Sequence, residues 1–561
     1  EMEKIVNKEG RRIMEEYSGC NTVDIIIHQV HTSKETELLN KVQEEQKDDV
    51  NRNSDDMFTA IGLGRWHILP ILVAFLYQAA SPTQLISSVF TNMPLDYKCY
   101  TVSGNSIAYK NVCKGLDHKH MNTSCSKIEF NHNVFKTTFT SEFELICDKS
   151  WISNLYQLSV TIGLLFGSLL GGIADKWGRL TVIRVGALGC LLGVLLVGFG
   201  PNVYLILAGR LLTGFFCNIL NISSFTLAIE NTPAHLRSTI SLFIMIGYPL
   251  SVVLKGIISY YLRYWRMLHL TISCYIYLIV ILIIFLDKSP RWLFQNGKIE
   301  EGIRLLEKII KLNKSDKKKV IDFEYFINES RQRHNLKELN SKYDCNPFMK
   351  LKHNISVFFK NPAMGSISVI TPIIWFITGL VYFGVPLNAN NFTDNPFIYM
   401  VLIGVVEAIS ILFGGMVLDK FGNIRTCAFF FGTTGSCLLF ILAVSEELWW
   451  LKWILILIAM MSISMCYALC YIMASELYPS EVRSAGMGIC CFSCFMGFIL
   501  SSMLSETVAR NSNYVFNVVC SAFCFLAIVL MVCLLPETKG EILCETIEDV
   551  AERNKRLKHK T

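Results

Sequence analysis

Gly171-Gly-Ile-Ala-Asp175-Lys176-Trp-Gly178-Arg179 closes one apolar stretch of this chain, and Gly415-Met-Val-Leu-Asp419-Lys420-Phe-Gly422-Asn423 closes another 244 residues later. A second pair keeps nearly the same offset. Ala228-Ile-Glu230-Asn-Thr-Pro233-Ala-His-Leu-Arg237-Ser238 and Ala474-Ser-Glu476-Leu-Tyr-Pro479-Ser-Glu-Val-Arg483-Ser484 stand 246 residues apart, as do Pro290 and Pro536. Three matches at one spacing are too many for a chance likeness between short charged turns. They divide the chain into two repeated halves, a plan that in membranes places a ligand site between the halves near the midplane.

Between these turns the chain runs in apolar stretches of membrane-crossing length, about 20 residues for a hydrocarbon core of about 30 Å. Twelve fall near 66–88, 151–173, 181–199, 202–223, 238–260, 267–286, 364–386, 397–416, 426–444, 449–472, 484–506 and 513–535. Of the 561 residues 52% are hydrophobic and only 17% charged, with a mean hydropathy of +0.40, which excludes a soluble enzyme and a disordered scaffold. The net charge of +6 is too small and too scattered to specify a nucleic-acid partner. The expectation is an all-α membrane protein of twelve helices in two six-helix halves, with the lipid bilayer as its principal partner.

Charge bias sets the orientation. Residues 287–361 carry seventeen Lys/Arg against ten Asp/Glu, and Lys176, Arg179, Arg184, Arg237, Lys420, Arg425 and Arg483 fall on the same face, which the positive-inside rule makes cytoplasmic. Arg263 and Arg266 are exceptions on the outer face. The expected layout is a polar cytoplasmic tail (1–57) without a cleavable signal core, a first half (58–286), a cytoplasmic central loop (287–363), a second half (364–535) and a cytoplasmic tail (536–561). The loop 89–150 is then extracellular. It holds Cys99, Cys113, Cys125 and Cys147, an even number that allows three pairings, and one glycosylation sequon at Asn122. Cys491 and Cys494 have metal-like spacing, but within an apolar helix they read as packing residues. In the central loop, Ile303, Leu306, Ile309 and Ile310 recur at helical spacing, so residues 298–312 read as an amphipathic helix beneath the bundle.

The repeated turns resemble those of the major facilitator superfamily, whose loop between helices 2 and 3 reads G-x-x-x-D-[KR]-x-G-R. Further stretches resemble its organic cation, organic anion and carnitine transporter family. These are the cysteine-bearing loop after helix 1, Phe58-Thr-Ala-Ile-Gly-Leu-Gly-Arg65, Ser289-Pro-Arg-Trp-Leu293, Glu476-Leu-Tyr-Pro-Ser-Glu-Val-Arg483 and Pro536-Glu-Thr-Lys-Gly540. The resemblance covers about residues 55–545. It implies a plasma-membrane, multi-pass carrier with both termini cytoplasmic, a monomeric functional unit, and a small organic ion as substrate.

Residue roles follow from charge, depth and the resemblance together. An ionised group inside a bilayer costs at least about 2.5–3.5 kcal/mol at a helix centre, so Glu407, ten residues into the eighth span, is the leading substrate residue. Lys255 lies about seventeen residues into the fifth span, where a pair with Glu407 competes with snorkelling to the outer surface. Trp375, Tyr382, Phe383 and Phe225 offer π-faces to an organic cation, and Asn218 and Asn221 match pocket positions of relatives. The resemblance assigns Asp175, Lys176, Gly178, Arg179, Glu230 and Arg237 to a lock that closes the cytoplasmic face, with Asp419, Glu476 and Arg483 as its second copy. That copy is the weaker because Asn423 replaces the basic residue. Arg210, in Gly209-Arg210-Leu-Leu-Thr-Gly214, belongs to the conformational machinery. Gly163, Gly167 and Gly171 stripe helix 2, and because helix 2 faces helix 11 in the superfamily fold, the stripe is expected to form a moving seam, with pure packing that has no gating role as the alternative.

One departure bears on the substrate. Family members often carry a charge twelve residues after the motif Arg; here Phe495 occupies that position. Cations selected by Glu407 and aromatic faces, or zwitterionic amines held between Lys255 and Glu407, fit the sequence best. An organic anion carrier and a non-transporting receptor or scaffold of the same fold are the alternatives. No phosphate-cradling glycine loop, HExxH or ATP-binding domain is present, so no enzyme activity and no cofactor is implied, and transport is secondary or facilitative.

Overall fold

The computed structural model describes residues 61–93, 95–100, 109–110, 127–169, 177–233, 236–295, 298–313, 362–387, 395–478, 483–511, 514–537 and 550. Backbone polar groups have no water to bond in a bilayer, so the apolar runs satisfy them internally as helices. The first half comprises α1 (Arg65–Leu85), α2 (Ser150–Leu169), α3 (Arg179–Phe199), α4 (Val203–Glu230), α5 (Arg237–Tyr261) and α6 (Trp265–Leu282, interrupted at Ser273). The second comprises α7 (Pro362–Leu387), α8 (Pro396–Phe421), α9 (Asn423–Ala443), α10 (Trp449–Leu477), α11 (Arg483–Asn511) and α12 (Tyr514–Leu534). Among the described residues ten of these are long and apolar enough to cross a membrane. The other two are α2, which carries Ser153, Asn154, Gln157 and Ser159, and α8, whose apolar run is Pro396–Leu412.

Local chemistry sets the helix ends. Asn202 caps α4 by accepting from the Leu205 N–H (2.9 Å), and Asn395 caps α8 ahead of Pro396, which lacks the N–H that a first helical position leaves unused. Gly178 and Gly422, equivalent in the repeat, turn the chain into α3 and α9 at φ of +89° and +86°, a region glycine enters without strain.

The repeat in sequence is a repeat in packing. In the first half α4 lies against α1, α2 and α3, α5 against α1, and α6 against α1 and α3. In the second, α10 lies against α7, α8 and α9, α11 against α7, and α12 against α7 and α9. The halves meet along two equivalent seams, α2 with α11 and α5 with α8. At the second seam a Cβ on Gly404 would come within 2.8 Å of the Pro249 carbonyl oxygen, so the two backbones nearly touch.

The glycine stripe of α2 belongs elsewhere. A Cβ on Gly163 would strike the Leu211 carbonyl, and one on Gly167 would lie 2.5 Å from the Phe215 carbonyl oxygen, both on α4. Periodicity marked a close-contact face correctly but not its partner. The stripe is a packed joint inside the first half, while α2 meets α11 through other residues; Gly171 lies outside the described residues.

Two further layers cap the bundle. On the face where α1 ends, β1 (Tyr97–Tyr100), β2 (Tyr109–Lys110) and β3 (Lys127–Phe130) form an antiparallel sheet in the order β2-β1-β3, with Lys98 opposite Glu129. The following segment is stitched to the α5–α6 turn. Lys136 N–H donates to the Arg263 carbonyl (3.0 Å), Thr137 bridges Tyr264, and Glu142 takes both the Trp265 indole (2.6 Å) and Arg266 (2.7 Å). On the opposite face the helix Ile299–Asn313 lays Leu306 and Ile309 against Ile61, Trp66 and Phe294. Lys288, 2.8 Å from Glu301 there, holds that carboxyl below its usual range.

Candidate functional site

Glu407 sits on α8 with 3% of its surface exposed. One oxygen, Oε1, accepts a short hydrogen bond from the Tyr382 hydroxyl on α7. The other, Oε2, is buried beside the Ser464 hydroxyl, the two short of ordinary hydrogen-bond geometry, and has no other partner among the described residues. A buried carboxylate with an under-satisfied oxygen carries a desolvation cost of several kcal/mol that a bound cation would offset.

A network of packed aromatic rings, termed the cage, starts from this carboxylate at Tyr382. Tyr382 stacks on Tyr467 of α10 (centroids 4.5 Å apart, planes at 13°) and approaches Tyr248 of α5 at 6.2 Å. Tyr467 and Tyr471 share a hydroxyl contact of 3.3 Å, and Tyr471 meets the Trp375 edge at 4.5 Å. Phe383 stacks on Phe498 of α11 at 4.3 Å. Each ring presents a face with negative partial charge, and a cation over such a face gains about 0.5–2 kcal/mol depending on its desolvation. Tyr248 comes from the first half and the other rings from the second, so the cage spans the interface between them.

Of the residues expected from sequence, Glu407, Trp375, Tyr382 and Phe383 come together here. Tyr248, Tyr467, Tyr471 and Phe498 were missed, although Tyr467 and Tyr471 stand four apart, on one face of a helix in an apolar span. Phe495 is partly buried and packs against the core, while Phe498 one turn on joins the cage. Asn218 is spent on helix packing, donating to the Leu164 carbonyl (3.0 Å), and Asn221 accepts from Gln78 of α1 (3.3 Å). Phe225 packs beside Ala74, Ala228 and Ile244.

Lys255 is 1% exposed on α5 and does not pair with Glu407, whose bond goes to Tyr382 in its own half. It lies instead within Coulombic reach of Arg210. That guanidinium, wholly buried, donates to the Gln84 carbonyl (3.0 Å), the Ser87 hydroxyl (3.0 Å) and the Tyr156 carbonyl (3.3 Å), and covers the Tyr156 ring at 4.4 Å. Arg210 thereby ties α4 to α1 and α2.

On the face bearing Gly178 and Gly422, Arg179 pairs with Glu230 at 2.8 Å, and Ser289 reaches the same carboxylate at 3.5 Å. The second copy keeps the geometry with different chemistry. Asn423 donates to Glu476 at 2.6 Å, while the Glu537 carboxylate accepts the first backbone N–H groups of α9, from Asn423 (3.0 Å) and Ile424 (3.2 Å). Asp175 and Lys176 lie outside the described residues, as do the side chains of Arg237, Asp419 and Arg483. In the sheet-bearing layer Cys147 is disulfide-bonded and Cys99 lies in β1; Cys113, Cys125 and Asn122 lie outside the described residues.

On the sheet-bearing face Phe397, at the start of α8, closes against the first half. Its ring stacks on Phe90 (5.4 Å, 9°), meets Phe135 at 5.7 Å and Tyr260 at 5.9 Å, and lies 4.6 Å beneath the Arg263 guanidinium. All four partners belong to the first half.

Two pseudo-equivalent six-helix halves, a caged carboxylate between them and one closed face define a membrane carrier. The chain belongs to the sugar (and other) transporter family of the major facilitator superfamily, whose profile matches residues 97–549. It is similar to human solute carrier family 22 member 2, 28% identical over 431 residues that span 76% of this chain and 73% of the relative. Human organic cation/carnitine transporter 2 is 26% identical over 435 residues, 77% of this chain and 75% of that one. The fold matches the inward-open xylose transporter XylE from E. coli with a TM-score of 0.60, covering 87% of this chain and 98% of that one at 15% identity.

Proposed function

We propose that this chain is a plasma-membrane carrier of small organic cations, zwitterionic amines included, working by alternating access. The observation that carries the reading is Glu407, a caged carboxylate with one oxygen tied to Tyr382 and the other under-satisfied. An ammonium group seated among Tyr248, Tyr382 and Tyr467 would neutralise it and meet three π-faces. The relative named as an organic cation/carnitine transporter points the same way. In this reading the face bearing Gly178 and Gly422 is cytoplasmic, as the Lys/Arg excess of residues 287–361 favours, and so are both termini. The sheet-bearing face is extracellular. Phe397 is the outer closure, and the Arg179–Glu230 and Asn423–Glu476 contacts sit where the inner face parts and rejoins.

The test is uptake in voltage-clamped oocytes, comparing a quaternary ammonium, carnitine and an aromatic carboxylate. Saturable ammonium uptake should grow with inside-negative voltage, since one charge crossing 100 mV gains about 2.3 kcal/mol. Glu407→Gln should weaken it about tenfold to a hundredfold, the worth of a hydrogen bond or contact to a buried charge. Uptake of the carboxylate alone would overturn the reading.

A further inference from the structure

A groove of about 180 Å³ lies where α1 begins and α6 ends, with residues of the helix Ile299–Asn313 along one side. Arg65, Trp66, Phe285, Asp287, Lys308 and Leu312 line it. Its lining exposes apolar side chains, Phe285 at 67% and Leu312 at 44%, and further along α1 Ile68 (60%) and Leu72 (39%) are exposed as well. Arg65, Ile68 and Leu72 recur at helical spacing, so a basic group and an apolar ridge share one face of α1.

The charges do not cancel at this rim. Asp287 accepts the Lys308 ammonium on both oxygens (2.8 and 2.7 Å) and the Trp66 indole on Oδ2 (2.9 Å), so it is largely engaged within the protein. Lys308 still keeps half its side chain exposed, and Arg65, which lines the same groove, is exposed as well. Two lining cations against one lining carboxylate, beside an apolar groove, complement an anionic headgroup carrying acyl chains. In the orientation proposed above, on which this step rests, the groove faces the cytoplasmic leaflet, where such lipids are concentrated.

We infer that the groove seats an anionic glycerophospholipid, its phosphate on Arg65 and Lys308 and an acyl chain along Ile68, Leu72 and Phe285. A lipid held there bridges α1, α6 and the helix Ile299–Asn313, and so fastens the cytoplasmic layer to the first half.

The test is native mass spectrometry of the full-length protein in detergent, titrated with phosphatidylserine or phosphatidylcholine. This readout involves neither transport nor orientation, so it stands apart from the uptake experiment. Phosphatidylserine should bind in preference, and Arg65→Gln should weaken it about fivefold, the effect of one basic side chain at an anionic surface. Arg65→Lys should retain most of the preference, which separates loss of charge from loss of fold. Equal binding of the two lipids, or phosphatidylserine binding indifferent to Arg65→Gln in a monodisperse variant, would overturn the inference. So would competition by glycerophosphoserine, which lacks acyl chains, at the same concentrations as the intact lipid.

Discussion

Replacing Phe397 by Ala should open the sheet-bearing face. The ring belongs to the second half and its four partners, Phe90, Phe135, Tyr260 and Arg263, to the first, so every one of these contacts must break when the halves part there. Aromatic pairs contribute about 0.5–1.5 kcal/mol each beyond area burial. The Arg263 contact adds about 0.5–1 kcal/mol at a site of partial exposure. Full additivity does not hold for four partners around one ring, and some contacts would be replaced by others in the open form. A net bias of about 2 kcal/mol is a reasonable working value, and it corresponds to about a thirtyfold change in the ratio of open to closed forms. The assay is labelling of a cysteine introduced at Val401, one turn into α8, with a membrane-impermeant maleimide on intact and permeabilised cells. The rate should be slow in the parent and rise by about that thirtyfold factor when Phe397→Ala is added. Unchanged labelling at equal surface expression would refute the reasoning, since the plug would then be bystander packing.

Other outcomes follow from the same geometry. Tyr382→Phe removes the hydrogen bond to Glu407 and should lower cation uptake at least about tenfold, whereas Tyr467→Phe keeps its stacked ring and should cost much less in the same uptake assay. A double-mutant cycle on Arg179 and Glu230, 10% and 24% exposed, should give a coupling of about 1 kcal/mol that shrinks with salt. The Asn423–Glu476 bond, with one neutral partner, should respond far less to ionic strength in a parallel cycle. Gly167→Ala forces a methyl against the Phe215 carbonyl and should destabilise the purified protein by about 1–3 kcal/mol, seen as a lower Tm. Because that joint lies inside one half, substrate affinity of the surviving protein should stay unchanged; a large shift in KM would argue that the seam moves.

The repeat was legible because its charged turns lie at helix ends, where sequence order and spatial order coincide. Glu407 was legible for a related reason: a carboxylate ten residues into an apolar run has a depth fixed by helix rise alone. The cage around it was only half visible. Trp375, Tyr382 and Phe383 crowd one span, but Tyr248 and Phe498 are ordinary aromatics until five helices bring them together. Helix 2 shows the limit of periodicity, since the spacing of Gly163 and Gly167 announces a close neighbour without naming α4. Phe397 gave no sequence signal, because its partners lie on separate segments between Phe90 and Arg263 and act on it only after assembly.

The stitching of the segment around Lys136–Glu142 to the α5–α6 turn has a practical meaning. Through Arg263, Tyr264, Trp265 and Arg266 the described part of the sheet-bearing layer is fastened to one half of the molecule, and at Phe90 and Phe135 it meets Phe397 of the other. Such a layer is a transplantable part. A chimera that exchanges it between related carriers should fold when the α5–α6 turn travels with it, and an antibody fragment raised against it would report the movement of one half as a rigid handle.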